Sequence, residues 1–392
     1  MPSHVRPFVR RKTKLSYSRL VKPVNDALSL ITPLESRSNR PLTFTFEHQL
    51  NSLIWFHLHE HSSGRELLQV LEQDSFAKDY IAPPDGVSKS AFFEAMNSRG
   101  VEQLLEMYHV LQRQAKGQLP NRHPDLGELV AIDGTLIDAV ASMYWADYRD
   151  GSKKAKVHLG FDLNRTIPEK LFLSAGKADE RPFVSKILAP GQTGVMDRYY
   201  QCHKNFDEWQ ADEKHFVCRI RKSTRKAIVE QHEVPEGSHV FLDVNALLGT
   251  PNQNQTEKPV RVVGYKVDNK EFYVATDRFD LTAEEVALVY KLRWDVEIFF
   301  GWWKQHLKVY HLIARSAHGL MAQILGGLIT YLLLAIYCQE EHQEKVSINR
   351  VRELRIKIRN EHTQMMDELD LYDEGESVPD DSDQGPPPSA TS

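Results

Sequence analysis

The chain has 392 residues, 41% of them hydrophobic and 26% charged, which is longer than one ordinary domain of about 100–200 residues and excludes a wholly disordered or fibrous protein. Its three cysteines, Cys202, Cys218 and Cys338, are far apart and form no CxxC pair, which argues against a disulfide framework or a thiolate zinc site and fits a reducing cytoplasm. The net charge of −5 hides an uneven distribution: residues 360–392 hold ten acids and no Lys or Arg, so the remainder carries 49 basic against 44 acidic residues.

Residues 1–40 read as a basic arm, with seven Lys or Arg and no acid up to Lys22 and no apolar stretch of the kind a secretory signal needs. From 41 to 122 the period is helical: FTFEHQLNSLIWFHLHEH, GRELLQVLEQ and SKSAFFEAMNSRGVEQLLEMYHVLQRQ place apolar residues three and four apart, and Ser88 can cap the third segment. Short helices around Pro83-Pro84-Asp85-Gly86 suit a helix-turn-helix or a packed bundle, and this stretch is assigned as a helical DNA-binding domain. His57 and His61, one helical turn apart, are a weak zinc signal because no third ligand accompanies them.

At Glu128 the pattern turns to strands, LVAIDGT, AKVHLGFDL, KLFLSAG, TGVMDR and HFVCRI, with helical stretches at 179–188 and 203–212. Residues 123–218 are therefore the first part of an α/β core. Residues 219–280 read as a β-rich insertion, 281–342 as the second part of the core, 343–365 as a basic C-terminal helix and 366–392 as a disordered acidic tail. The uncharged run Leu320–Cys338 just reaches the length of a membrane span, but Gln323, Thr330 and two central glycines dilute it, so a helix buried in the α/β core is expected and no membrane partner.

Chemistry is carried by carboxylates. Asp133 ends LVAID and Asp197 ends TGVMD, so both are expected to leave strand ends, and hard oxygen ligands of this kind select Mg²⁺ or Mn²⁺. Asp138, Asp147 and Asp162 rank behind them. A third carboxylate, Glu297, belongs to a predicted single helix from Leu281 on which Tyr290, Arg293, Glu297 and Lys304 share one face. A basic cluster, Arg219, Arg221, Lys222, Arg225 and Lys226, is a candidate for phosphate neutralisation.

The spacing Tyr290-x2-Arg293-x3-Glu297-x6-Lys304 resembles the Tyr-Arg-Glu-Lys signature of insertion-sequence transposases with a DDE catalytic triad. VAIDGT, KVHLGFD, DRYY and FVCRIR resemble that family's blocks in the right order, and the resemblance covers roughly residues 42–340. It departs at DRYY, where many relatives have Gly in the place of Tyr199. The resemblance implies an α/β fold with an RNase H-like mixed-sheet catalytic core and a β-rich insertion, preceded by an all-helical N-terminal domain. It implies Asp133, Asp197 and Glu297 as catalytic metal ligands for Mg²⁺, with Mn²⁺ as a substitute. It further implies Tyr290, Arg293 and Lys304 as phosphate contacts, and Trp294 as a stacking platform for an unpaired base. The implied function is cut-and-paste cleavage and strand transfer of transposon ends. Its partners are double-stranded DNA, as terminal inverted repeats and target, and a second subunit in a homodimer, in the cytoplasm at the nucleoid. Two other readings remain: a domesticated RNase H-like nuclease or recombinase, and a non-catalytic DNA-binding protein.

Overall fold

The run of β-branched residues from Leu129 onward builds one mixed sheet of nine strands: β1 (Leu129–Asp138), β2 (Lys154–Asp162), β3 (Ile167–Ala175), β4 (Thr193–Met196), β5 (His215–Arg219), β6 (Lys226–Gln231), β7 (Val240–Leu248), β8 (Val260–Val267) and β9 (Lys270–Thr276). The computed structural model describes residues 16–36, 40–139, 143–149, 152–234, 236–306, 312–313, 316–344 and 346–375. Strand order is β3-β2-β1-β4-β5-β9-β8-β7-β6. Only β1 with β4 and β4 with β5 run parallel; the other neighbours are antiparallel. The first five strands make the mixed half, in which β1, β4 and β5 run parallel. The stretch read as an insertion does not fold apart from it: β9 pairs with β5, Val217 opposite Thr276, so β6 to β9 lengthen the same sheet.

Among the described residues, six α-helices precede the sheet: α1 (Ser16–Ala27), α2 (Phe46–His59), α3 (Gly64–Gln73), α4 (Ser75–Tyr80), α5 (Lys89–Ser98) and α6 (Val101–Gln118). Their starts follow from capping side chains. Thr45 and His48 form a reciprocal capping box, and Ser63, Asp74 and Ser88 each accept a backbone N–H two or three residues into the following helix. The 1–40 arm is corrected from residue 16 onward: Tyr17, Leu20, Val21 and Val24 of α1 are buried despite Pro23 inside the helix. Residues 1–15 lie outside the described part.

After β3 come the short α7 (Val184–Ile187) and, after β4, α8 (His203–Ala211); after β9 come α9 (Ala283–Leu292), α10 (Trp294–His306), α11 (Ala317–His342) and α12 (Ile348–Gly375). The expected single helix from Leu281 is two, divided at Arg293, where the backbone N–H groups of Arg293 and Val296 bond three residues back. α12 runs to Gly375, so the first ten residues assigned to the tail are helical; residues 376–392 lie outside the described part.

α11 decides how the parts join. Every residue from Gly319 to Cys338 except the partly buried Met321 is buried, and the helix packs on α1, α2, α5, α6 and α12 as well as on β3. Gly326 allows the closest approach, since a Cβ there would lie 2.9 Å from Leu53 Cβ. The helix has the length and apolarity of a membrane span, yet it is sheathed by the protein's own helices. It is therefore not confined to the α/β core, and the N-terminal helices share one continuous hydrophobic core with one face of the sheet. The other face carries a second core, in which Val130, Ile132, Met196 and Phe216 meet Ile187 of α7 and Phe206 and Trp209 of α8.

Candidate carboxylate site and basic groove

Strand alternation places the two aspartates. Val130 and Ile132 belong to the core under α7 and α8, whereas Leu129 and Ala131 belong to the core shared with the helices. Asp133 therefore faces the helical side. On β4, Met196 and Val195 divide in the same way, so Asp197 faces that side too. The parallel ladder ends with Ile132 opposite Met196. Asp133 and Asp197 are thus the next residues on neighbouring strands, roughly 5 Å apart in backbone. Asp197 does leave a strand end, capping a turn in which its Oδ1 accepts the Tyr199 N–H at 2.8 Å. Asp133 does not: β1 continues to Asp138. What ends at Asp133 is the pairing with β4, so the sheet opens between the two carboxylates.

The α9–α10 break sits over this opening, with α9 against β4 and β5 and α10 against β1. Tyr290 and Arg293 are 6% and 7% exposed, and the Arg293 guanidinium lies 5.5 Å from the Tyr290 ring centroid. Arg293 donates to Glu297 in a close ion pair. Buried Tyr290 Oη and Arg293 Nε have no hydrogen-bond partner among the described residues, so both retain capacity for an acceptor. Lys304 is partly exposed and within electrostatic reach of Asp133. Asp295 pairs with Arg122 at 3.8 Å, not with Arg293, tying the start of α10 to the chain entering β1.

Burial is the main cause that pushes Asp133 up to about 7, with the charges of Asp197 and Glu180 adding to it; the Gly134 N–H and Arg293 oppose the shift. A carboxylate held this way is short of positive charge, which is the condition a divalent cation relieves. The donor set fits Mg²⁺ or Mn²⁺ in part. Asp133 and Asp197 come together, but Glu297 is held by Arg293, and among the described residues no three His, Cys, Asp or Glu side chains stand close enough to enclose an ion. Since ionised Asp133 costs the fold more than the unfolded chain, its penalty is absent below pH 4, grows with pH and is complete above about 7. Metal-free Asp133→Asn is therefore expected to melt roughly 2–4 °C above the parent at pH 8, with the gain gone at pH 4. Calorimetry in chelator at the two pH values checks this.

The remaining candidates divide. Trp294 is 60% exposed, whereas Trp302 and Trp303 are buried in the core. Arg219 stacks on Phe272 with 4.6 Å to the centroid, and Arg219, Arg221 and Lys222 line a groove of about 520 Å³ with Arg198 and Tyr273. Arg225 is exposed. Lys222 pairs with Glu271 at 2.7 Å, and Lys226 donates to the carbonyls of Lys222 and Thr224. The lower-ranked acids are otherwise engaged: Asp138 with Lys154, Asp147 with Lys153 and Lys177, and Asp162 with Arg165. His57 Nε2 meets the Gln323 carbonyl at 3.0 Å and His61 Nδ1 meets Glu66 at 3.4 Å, separate settings rather than one ligand set.

Two residues were missed in the sequence. Arg198 carries the groove up to Asp197, and its place directly after that residue was the only local signal. Glu180 lies beneath Gly134, where a Cβ would fall 2.5 Å from its Oε2. Nothing local announces this contact, which spans 46 positions.

Comparison with known proteins gives a consistent set of relatives. Residues 124–333 match the family model described as Transposase DDE domain. The chain is 26% identical over 230 residues to a transposase of insertion sequence element IS5377 from Geobacillus stearothermophilus, a match covering 56% of this chain and 60% of that protein. It is 24% identical over 279 residues to a transposase of element IS4SA from Synechocystis, covering 68% and 77%. A third relative, the transposase y4zB of Sinorhizobium fredii, is 25% identical over 62% of this chain and 69% of its own length. A solved piggyBac transposase synaptic complex with hairpin DNA aligns over 93% of this chain and 79% of its own at 13% identity, with a TM-score of 0.42, too loose a likeness to carry weight.

Proposed function

Because the chain belongs to the Transposase DDE domain family, we propose that it is a DNA transposase that cuts and rejoins phosphodiester bonds at the ends of an insertion sequence. The observation that carries this reading is the pair Asp133 and Asp197, side by side where the β1–β4 ladder stops and facing the helix that bears Glu297. Divalent ions, when bound, would stabilise the attacking and leaving oxygens of an in-line displacement. Mg²⁺ is the proposed ion and Mn²⁺ its substitute.

This chain's residues have separable tasks. Asp133, Asp197 and Glu297 would hold the cations, Glu297 on giving up its ion pair with Arg293. The guanidinium so released, beside the Tyr290 hydroxyl, would take a phosphate oxygen. Lys304 supplies a second, point-like cation. The groove of Arg198, Arg219 and Arg221 leads the DNA backbone away from the carboxylates, and Trp294 offers an exposed ring to an unpaired base. Two subunits would pair the two ends. The N-terminal helices, with the basic residues before them, are assigned end recognition.

The direct test is incubation of the protein with DNA carrying its own terminal repeats. Nicking at the repeat boundary that needs Mg²⁺ or Mn²⁺ supports the reading, and tight binding without any metal-dependent cleavage contradicts it. A protein truncated before Gly127 would remove helices that share the core with α11, so end recognition is better tested by charge reversal in residues 1–22. Lys or Arg to Glu at three positions there is expected to weaken end binding and to flatten its salt dependence by about three units of log-log slope. Filter binding at several salt concentrations measures it.

A further inference from the structure

We infer that Glu180 is a positioning residue that sets the separation of Asp133 and Asp197 from the opposite face of the sheet. The inference rests on the reading of those two aspartates as metal ligands. The Glu180 side chain is 15% exposed, and its Oε1 lies 3.0 Å from Lys156 Nζ on β2. Its Oε2 accepts from the Tyr200 hydroxyl at 2.8 Å. Tyr200 is 1% exposed and is the last residue of the turn that Asp197 caps. The same carboxylate fills the space under Gly134, the residue after Asp133. One side chain therefore touches all three segments around the site: β1 beside one aspartate, the turn beside the other, and β2.

The need for such a clamp follows from the ladder. Backbone pairing between β1 and β4 ends at Ile132 and Met196. Beyond that point no strand hydrogen bond fixes Asp133 against Asp197, and their mutual repulsion in the absence of a cation would spread them. Glu180 replaces the missing ladder with two side-chain bonds. A carboxylate suits the role because both oxygens accept, one from an ammonium and one from a hydroxyl, whereas an amide offers a single accepting oxygen. Lys156 is itself held by the Ala178 carbonyl at 2.9 Å, so the ammonium end of the clamp is fixed in place. The clamp also explains the glycine in VAIDGT: any Cβ at position 134 would collide with the carboxylate held there.

The test measures Mn²⁺ affinity of the DNA-free protein by electron paramagnetic resonance, for Glu180→Gln, Tyr200→Phe and, as reference, Asp133→Asn. Glu180→Gln is expected to weaken Mn²⁺ binding about tenfold, as loss of a residue supporting metal ligands does. Tyr200→Phe, which removes one hydrogen bond and no charge, should weaken it by a smaller factor and keeps the test decisive if the Gln variant does not fold. In cleavage assays both variants should recover the parent's maximal rate at raised Mn²⁺, a rescue that a merely structural loss would not allow. Unchanged Mn²⁺ affinity in folded Glu180→Gln or in Tyr200→Phe, with binding lost in Asp133→Asn, overturns the inference alone. Binding that survives in Asp133→Asn overturns the ligand assignment beneath it.

Discussion

Neutralising any one of Asp133, Asp197 or Glu297, as Asn or Gln, is expected to slow metal-dependent strand cleavage by about a thousandfold or more, since each ligand supports several kcal/mol of charge stabilisation in the displacement. DNA affinity should change little, because none of the three is assigned a phosphate. The variants should differ in stability. Asp133→Asn removes a buried charge that the metal-free fold strains to keep, and so raises the melting temperature at pH 8. Glu297→Gln instead strips the buried Arg293 of its ion-pair partner, and so lowers it. Single-turnover cleavage of end DNA beside calorimetry of the same preparations reads both effects. Activity in one variant at the parent's level would remove that residue from the site.

The second large effect belongs to the groove. Joint replacement of Arg198, Arg219 and Arg221 by Ala is expected to lower end affinity on the order of a hundredfold near 0.1 M salt and to flatten the log-log salt dependence by about three units, one for each phosphate that the variant no longer neutralises. None of the three arginines belongs to either hydrophobic core, although Ile220 of the groove lining does, so the fold should survive. Fluorescence anisotropy from low to moderate salt checks it, and an unaltered slope would move the DNA path elsewhere. Arg293→Ala belongs to the same series but carries a second signature. It should cost one unit of slope and also some stability, because the ion pair it breaks is with Glu297 and not with Asp295, which Arg122 holds.

How much of this was legible depends on the range of the interactions involved. The two aspartates were readable because apolar strand segments ending in Asp are a local pattern, and the alternation that aims both at one face is equally local. The break at Arg293 was not. KLRW contains neither Gly nor Pro, and helix-forming residues flank it; the division goes with the burial of Tyr290 and Arg293, which belongs to tertiary packing. Glu180 was hidden for the same reason, since its neighbours read only as the start of a helical stretch at 179–188 while its partners lie on β1, on β2 and after β4. The basic charge and the sparse apolar periodicity made residues 16–27 read as part of the arm, yet Tyr17, Leu20 and Val24 supply an apolar stripe that the shared helical core buries. The charge-free run ending at Cys338 showed a buried helix clearly enough, but not that its burial would come from the N-terminal helices.

The central claim is that Asp133, Asp197 and Glu297 share the cations, although Glu297 is paired with Arg293 in the absence of metal. Crystals of the protein with end DNA and Mn²⁺, measured at a wavelength where manganese scatters anomalously, test it most directly. The account predicts anomalous density between the carboxylates of Asp133 and Asp197, with Glu297 turned away from Arg293 toward it at about 2.2 Å or a bridging water away. Manganese bound elsewhere, or at the two aspartates with Glu297 still on Arg293, would contradict it.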